Sequence, residues 1–174
     1  MFNLKFILAE PSHIPVLVEL INSAYRQQEG NSWTSELGIV SGDRIASHQI
    51  EKSLAQDNFK LFVVESNGQL VACIGLTFDS VDVEIGTFCI APQFQNRGVG
   101  RQVLDFAEQY VIEKHTSIKF LVMWVLSVRH ELIAYYERRG YVLTGAVDEY
   151  PLDADVGIPQ VDLHLVEMKK YFSQ

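Results

Sequence analysis

The sequence is poor in residues that bind metals or form disulfides. Its 174 residues include only two cysteines, Cys73 and Cys89, and five histidines. Two cysteines are too few for a disulfide framework or a paired CxxC zinc site, and both lie in apolar, strand-like segments where a thiol acts as a small hydrophobic group. The histidines lack the i, i+4 spacing of a helical metal-binding pair. The sequence therefore implies no metal.

Long apolar runs are also missing. No segment approaches the roughly 20 consecutive apolar residues that span a bilayer. The N-terminus lacks the charged start and long apolar stretch of a secretory signal. The chain is therefore predicted to be soluble and cytoplasmic, with no membrane partner.

Positive charge is scarce as well. Lys and Arg number 14 against 22 Asp and Glu, which gives a net charge of -8. Binding to nucleic acid requires clustered Lys and Arg that neutralise phosphates, so no nucleic-acid partner is expected. The acidity suits a cationic substrate, but keeping the protein soluble is the favoured interpretation.

The rest of the composition is that of an ordinary globular domain. Hydrophobic residues make up 48% and charged residues 21%, which is close to the average for soluble proteins. The length suits one core, and the chain contains no internal repeat, linker or low-complexity segment. Residues 1–174 are therefore predicted to form a single domain.

Apolar periodicity predicts the order of helices and strands. Strands are predicted at residues 3–9, 60–65, 69–78, 83–90, 118–126, 141–147 and 161–169. Helices are predicted at residues 13–25, 43–56, 99–115 and 130–139. Asn67-Gly68 is a typical hairpin turn between two of the strands, and residues 26–42 are predicted to be a loop. This order predicts an α/β (mixed α+β) domain with helices on the faces of a mixed sheet.

A glycine-containing segment, Gln95-Asn96-Arg97-Gly98-Val99-Gly100-Arg101, lies between a predicted strand and a predicted helix. Two glycines there let main-chain N–H groups approach an anion at the helix N-terminus, which predicts a pyrophosphate site. A Walker A loop would end in Gly-Lys-Ser/Thr, where this chain has Gly-Arg-Gln. A dinucleotide-binding fingerprint would need glycine where Val103 stands. Both nucleotide-binding alternatives are therefore excluded.

The pattern Gln-x-x-Gly-x-Gly after a strand ending in Ala-Pro resembles motif A of the GNAT acetyltransferases, with Gln95, Gly98 and Gly100 at its defining positions. The resemblance implies that this loop wraps the CoA pyrophosphate, with Asn96, Arg97, Val99 and Arg101 contributing mainly main-chain groups. It also implies the GNAT acyl-CoA N-acyltransferase-like fold. That fold has a central, mostly antiparallel sheet of about seven strands, splayed in the middle and flanked by about four helices. CoA would lie in the splay between the strands at 83–90 and 118–126.

Residues 129–141 resemble motif B of the same family, in which a Tyr stands four residues before Gly-Phe or Gly-Tyr. Counting back from Gly140 selects Tyr136, which the resemblance implies is the general acid for the departing CoA thiolate. Tyr135 points about 100° away on the helix and is predicted to serve packing. Arg129 replaces a common family Asn. It could reach a phosphate of the cofactor or an acidic acceptor, or it could pair with Glu131 or Glu137.

The strand at 83–90 leads directly into the glycine segment. The resemblance implies that its main chain polarises the thioester carbonyl, and Ile90, with Cys89 beside it, is the candidate contact. Glu84 is the candidate general base, with a solvent-facing structural role as the alternative. Strand alternation predicts that Glu84, Gly86, Phe88 and Ile90 share one face. No neighbouring His activates Cys89, so no covalent enzyme intermediate is expected.

The predicted function is therefore transfer of an acetyl group from acetyl-CoA to a primary amine by direct attack in a ternary complex. The alternative is a non-catalytic acyl-CoA-binding regulatory module. The amine acceptor, a small molecule or a peptide, is expected between segments 22–42 and 148–160, where acidic and aromatic side chains could hold a cation or simply form solvated loops. These side chains are Tyr25, Glu29, Trp33, Asp148, Glu149, Tyr150, Asp153 and Asp155. A homodimer is possible through strand pairing of residues 161–169.

Overall fold

A seven-stranded sheet runs through the structure, a computed structural model that describes residues 2–26 and 36–172. The strands are β1 (Leu4–Leu8), β2 (Val40–Ser41), β3 (Phe59–Ser66), β4 (Gln69–Phe78), β5 (Asp82–Ile90), β6 (Phe120–Leu126), β7 (Val142–Asp148), β8 (Ile158–Pro159) and β9 (Leu165–Tyr171). The helices are α1 (Ile14–Arg26), α2 (Ser47–Leu54), α3 (Val99–Lys114) and α4 (His130–Glu137). The mixed α/β class is confirmed.

The large sheet has the order β1-β3-β4-β5-β6-β9-β7, and β2 and β8 form a separate two-stranded sheet. Neighbouring strands of the large sheet are antiparallel except for β5 and β6, which are parallel. The register joins β5 to β6 only where Asp82–Glu84 meet Phe120–Val122. Both strands continue beyond these residues, so the sheet separates in its middle, as predicted.

A β-bulge interrupts β5 after Gly86. The register pairs Gly75 with Gly86 and Cys73 with Cys89, so Ile74 of β4 lies opposite two residues of β5 instead of one. Thr87, one of the two, has a positive φ of 49°. The extra residue changes the alternation: Ile85 and Ile90 pack in the same apolar cluster, while Cys89 packs in the other. The predicted common face for Glu84, Gly86, Phe88 and Ile90 is therefore wrong.

Apolar side chains cover both faces of the sheet. On one face, α3 buries the stripe predicted from its periodicity, which consists of Val99, Val103, Leu104, Ala107 and Val111. On the other face, α1 buries Leu17, Ile21 and Ala24 against residues of β3, β4 and β5. These two layers hold β5 and the start of α3 in fixed relative positions, and the candidate site lies there.

Two predicted elements begin later than expected. The second helix starts at Ser47 because Asn22 holds the preceding segment extended: its Oδ1 accepts the N–H groups of Arg44 and Ile45 at 2.8 and 3.1 Å. The last strand starts at Leu165 rather than at residue 161, and the short β8 that precedes it pairs with β2. The last strand also lies between β6 and β7. Its edges are therefore already paired, and the predicted pairing of this strand with a second copy is wrong.

Candidate active site

Two cavities lie beside the divergent ends of β5 and β6. The first has a volume of about 300 Å³ and the second about 270 Å³. Phe88, Leu132 and Tyr136 line both cavities and so form a shared partition. The strand β5 and the helix α4 therefore bring two separate pockets together at one point, as transfer of a group between two bound molecules requires.

The second cavity contains most of residues 95–101, the predicted pyrophosphate site, which is called the cradle below. Ile90, Gln95, Asn96, Gly98, Gly100 and Arg101 all line it. Gly98 precedes the first residue of α3 with a left-handed φ of 80°, and the side-chain amide of Gln95 donates to the Ile90 carbonyl at 2.9 Å. A Cβ at Gly98 would have no heavy atom within 4 Å. The cradle is thus open, and the N-terminus of a 16-residue helix is available for an anion.

Four predicted cofactor residues have side chains away from this cavity. The Arg97 guanidinium lies 4.6 Å from the centre of the Phe2 ring, and Val99 is buried in the core. Cys89 is buried on the α1 side of the sheet, 3.6 Å from the sulfur of Cys73. Arg129 lines the first cavity. The main-chain roles predicted for Arg97, Val99 and Cys89 stay predictions.

Two residues that the sequence interpretation did not assign to the site, Tyr135 in α4 and Arg139 just after it, also line the second cavity. Tyr135 was assigned to packing, yet it shares this wall with Arg139, whose guanidinium lies 5.4 Å from the centre of the Tyr135 ring. Arg139 follows Tyr135 by one helical turn, so helical spacing alone could have identified it. Together with Arg101, it places two cationic side chains beside the cradle.

The Tyr136 hydroxyl is distinguished by its lack of a hydrogen bond. Within residues 2–26 and 36–172, Tyr25 donates to the Phe88 carbonyl at 3.0 Å, Tyr141 to Glu108 at 3.0 Å and Tyr150 to the Val156 carbonyl at 3.1 Å. Tyr136 makes no such bond in that part of the chain. Burial, followed by the nearby Tyr135, raises the pKa of Tyr136 well above its usual range. The hydroxyl is therefore protonated at neutral pH and can donate to a ligand at the partition.

The main chain of β5 also offers hydrogen-bonding groups at the divergence of the sheet. Ala91 donates its N–H to the carbonyl of Val71 on β4 at 2.8 Å. Because main-chain groups alternate in direction along a strand, those of Phe88 and Ile90 point away from β4. The Tyr25 and Gln95 side chains accordingly reach the Phe88 and Ile90 carbonyls from that side. The Ile90 N–H is thereby directed toward the region between β5 and β6.

Glu84 lies on the first cavity, where β5 and β6 are still paired. Partial burial raises the pKa of its carboxyl group, and the negative charges of Asp82 and Glu167 raise it further. A carboxylate with a raised pKa is a stronger proton acceptor than an ordinary surface Glu. Glu84 therefore has the charge behaviour of a base while remaining accessible to solvent.

The first cavity also has a charged wall that the sequence interpretation missed. Its described charged residues, besides Glu84, are Glu36, Arg44 and Arg129. Glu36 is buried and pairs with Arg26, with 3.2 Å between Nη1 and Oε2. Burial raises the pKa of Glu36, although Arg26, Arg44 and Arg129 all act to lower it. Charged residues of surface loops give no sequence signal for burial, so the charged wall becomes visible only in the fold.

The predicted acceptor segments contribute unequally to this cavity. Tyr25 and Tyr150 line it, but the exposed carboxylates Asp148, Glu149, Asp153 and Asp155 are absent from its described walls. Glu29 and Trp33 lie outside the described residues. Arg26 links the two segments by hydrogen bonds. Its Nε donates to the Gly42 carbonyl at 2.7 Å, and its Nη2 donates to the Val156 carbonyl at 2.6 Å.

Among the residues described, no three or more His, Cys, Asp or Glu side chains are grouped so as to hold a metal ion. Across residues 2–26 and 36–172, no helix is both long enough and apolar enough to cross a bilayer.

Several known proteins are similar to this chain in sequence or in fold. S-(2-succino)cysteine N-acetyltransferase of Bacillus subtilis (strain 168) is 25% identical over 154 residues, covering 83% of this chain and 87% of that protein. The fold is similar to that of ribosomal-protein-S18-alanine N-acetyltransferase from Escherichia coli, with a TM-score of 0.72, 14% identity and coverage of 98% and 95%. Mutant forms of spermidine/spermine N-acetyltransferase from Vibrio cholerae give a TM-score of 0.71, 18% identity and coverage of 97% and 93%.

A match to the acetyltransferase (GNAT) family spans residues 18–141. This range contains the cradle, Glu84 and Tyr136, so the residues around the partition lie within the matched region. The chain belongs to the GNAT family of acetyltransferases, enzymes that transfer acyl groups to amines.

Proposed function

We propose that this enzyme transfers the acetyl group of acetyl-CoA directly to a primary amine while both substrates are bound. The observation that carries the proposal is the partition of Phe88, Leu132 and Tyr136. At this partition the second cavity, which contains the cradle, meets the first cavity. One cavity would hold the donor and the other the acceptor. No covalent enzyme intermediate is needed, because the two cavities share this boundary.

The cradle cavity has the features that an acyl-CoA donor requires. Its glycine segment leaves main-chain N–H groups at the start of α3 accessible to a pyrophosphate, and Arg101 and Arg139 add positive charge. The apolar side chains of Phe88, Ile90 and Leu132 suit the uncharged arm of the cofactor. GNAT enzymes use acetyl-CoA as co-substrate in general, which supports the same assignment.

The proposed reaction begins with loss of a proton from the acceptor ammonium to Glu84, through water. The neutral amine then forms a bond to the thioester carbonyl carbon, and the negative charge on the carbonyl oxygen is stabilised by the Ile90 N–H. As the tetrahedral intermediate collapses, the carbon–sulfur bond breaks and the CoA thiolate takes the proton of the Tyr136 hydroxyl. The newly bonded nitrogen loses its second proton, which passes through water to restore the Tyr136 hydroxyl. The products are an N-acetylated amine and CoA, with one proton left on Glu84.

Acetyl-CoA binding measured by calorimetry tests the donor half of this proposal. Gly98→Glu should abolish detectable binding, because a negative side chain would enter the cradle and glutamate is strained at a φ of 80°. Gly68→Glu is a matched control, since Gly68 has a φ of 77° and similarly open surroundings in the β3–β4 turn. The control should bind acetyl-CoA like the wild type. Failure of the wild type to bind, or equal loss in both variants, would refute the proposed donor site.

A further inference from the structure

The first cavity carries charges of both signs, with Glu36, Glu84, Arg44 and Arg129 in its described wall. Three guanidinium groups, those of Arg26, Arg44 and Arg129, lie close enough to Glu36 to lower the pKa of its carboxyl group. Arg26, which is outside the described wall, is the one in direct contact with Glu36, at 3.2 Å. The buried carboxylate of the cavity is thus already paired, while Arg44 and Arg129 border the cavity itself.

Arg129 forms its ion pair on the outer side of the cavity wall. Arg129 is only 4% exposed, and its Nε lies 2.7 Å from Glu131 Oε1. The side chain of Glu131 is 57% exposed, so its charge is screened by solvent. Glu131 is also absent from the described lining of the cavity, whereas Arg129 is part of it. The cavity is therefore bordered by a guanidinium whose ion-pair partner faces outward.

Arg44 provides a second cationic group on the same cavity. Its guanidinium lies 5.2 Å from the centre of the Tyr25 ring, and within residues 2–26 and 36–172 it forms no ion pair with a carboxylate. A guanidinium stacked on an aromatic ring keeps its N–H groups available at its edge. A ligand carboxylate in the cavity could accept hydrogen bonds from this edge.

We infer that the acceptor is an amino-acid-like molecule, whose amine reacts at the Tyr136 end of the first cavity while its carboxylate binds to Arg44 and Arg129. This inference rests on the proposed function and narrows its substrate class. Arg-to-carboxylate hydrogen bonds are strong and directional when water is excluded. They would fix the orientation of the acceptor and leave its amine at the partition with the donor cavity.

The same charges disfavour a polyamine acceptor. Of the two carboxylates in the described wall, Glu36 is paired with Arg26 and Glu84 would face the reacting amine in the proposed function. A second ammonium group of a polyamine would therefore meet the guanidinium groups of Arg44 and Arg129, and like charges repel strongly where water is limited. The exposed acidic residues of segment 148–160, which could attract such a cation, are outside the described cavity wall. The earlier expectation of an acidic, cation-binding groove is therefore replaced by one with a cationic end.

A test on the substrate side requires no mutation. The kcat/KM of the wild-type enzyme would be measured with acetyl-CoA and the twenty protein L-amino acids, each compared with its carboxamide and with its decarboxylated amine. The carboxamide has a less basic amine than the amino acid, and the decarboxylated amine has a more basic one. A preference for the carboxylate over both analogues therefore cannot come from amine basicity. We expect at least a tenfold preference, since hydrogen bonds to charged groups are strong.

Variants identify which groups recognise the carboxylate. Arg44→Gln and Arg129→Gln should each lower kcat/KM for the best amino acid about tenfold or more, with a smaller effect on its carboxamide. Arg138→Gln is the matched control, because Arg138 is exposed and lies outside both described cavity linings. Arg44 is only partly buried, so its variant should fold even if loss of the buried Arg129 destabilises the protein.

The possible outcomes separate this inference from the proposed function. Equal use of amino acids and their neutral analogues, or a preference for spermidine, would overturn the inference while leaving acetyl transfer to amines intact. The same conclusion would follow if Arg44→Gln lowered activity equally for carboxylate and carboxamide. Absence of acetyl-CoA binding would instead remove the proposed function and the inference with it.

Discussion

Replacing Tyr136 by Phe should separate catalysis from structure at a single oxygen atom. The hydroxyl makes no hydrogen bond within the described part of the chain, so its removal should leave the free energy of unfolding within about 1 kcal/mol of the wild-type value. Phe retains the ring packing against Tyr135 and Tyr141, whose ring centres lie 5.4 and 5.9 Å away. The cradle is unchanged, so the Kd for acetyl-CoA should stay within about twofold.

Turnover should respond very differently. A positioned general acid contributes about 10²–10⁴ to the rate, which corresponds to roughly 3–5 kcal/mol of transition-state stabilisation. The assay is release of the CoA thiol at saturating acetyl-CoA and a fixed concentration of the best amine. We expect kcat to fall at least about 10²-fold. Because burial raises the pKa of Tyr136 well above its usual range, the fall in kcat should be similar at neutral and at moderately alkaline pH.

Two control variants make this result interpretable. Tyr135→Phe removes a hydroxyl from the donor cavity alone, and should change kcat by less than about tenfold. Tyr141→Phe removes a buried hydrogen bond to Glu108 and should cost about 1 kcal/mol of stability without a comparable loss of turnover. If Tyr136→Phe turned over at the wild-type rate, Tyr136 would not be the acid. If all three variants lost kcat equally, general disturbance of α4 would be the better explanation.

Two further pairs of substitutions test the proposed base and the packing of the core. Glu84→Gln should lower kcat/KM on the order of 10²-fold near neutral pH. A base must be ionised, so wild-type activity should decline as pH falls through the raised pKa of Glu84, and the variant should lose this acidic limb. Asp82→Asn should retain activity but move the limb to lower pH, because the Asp82 charge helps to raise that pKa; an unchanged limb in both variants would exclude Glu84. Leu104→Ala, at a fully buried position of α3, should cost about 2–5 kcal/mol in urea unfolding, whereas Ile112→Ala, at a position 48% exposed on the same helix, should cost under about 1 kcal/mol. Similar losses for both would contradict the assigned packing of α3.

The local features of the donor cavity could be predicted because they are encoded in short segments. The glycine spacing of residues 95–101 and the apolar stripe of α3 both depend on neighbours within a few positions. Tyr136 was likewise found by counting from Gly140. In the structure the glycine segment and Tyr136 line one cavity, whereas the apolar stripe of α3 is buried in the core.

The acceptor cavity could not be predicted to the same extent because it depends on distant pairings. Its segments are joined by β2 and β8, which pair across more than one hundred residues of sequence through two residues each. Such short strands give no periodic signal. The bulge at Thr87 was missed for another reason: a non-glycine residue with positive φ has no reliable sequence signature, and one extra residue reverses the facing of all later residues in the strand.

The reliance on main-chain groups around β5 and α3 has a consequence for how this protein can vary. A main-chain N–H is present whichever side chain a residue carries, proline excepted, so most substitutions at the exposed Arg97 would leave the proposed donor contacts in place. Selection then acts on the path of the backbone through the glycines and the bulge. This path can persist while most side chains change. The loop residues of the proposed acceptor cavity, which include Glu36, Arg44 and Tyr150, are free to diverge toward new amines while the proposed donor site stays the same.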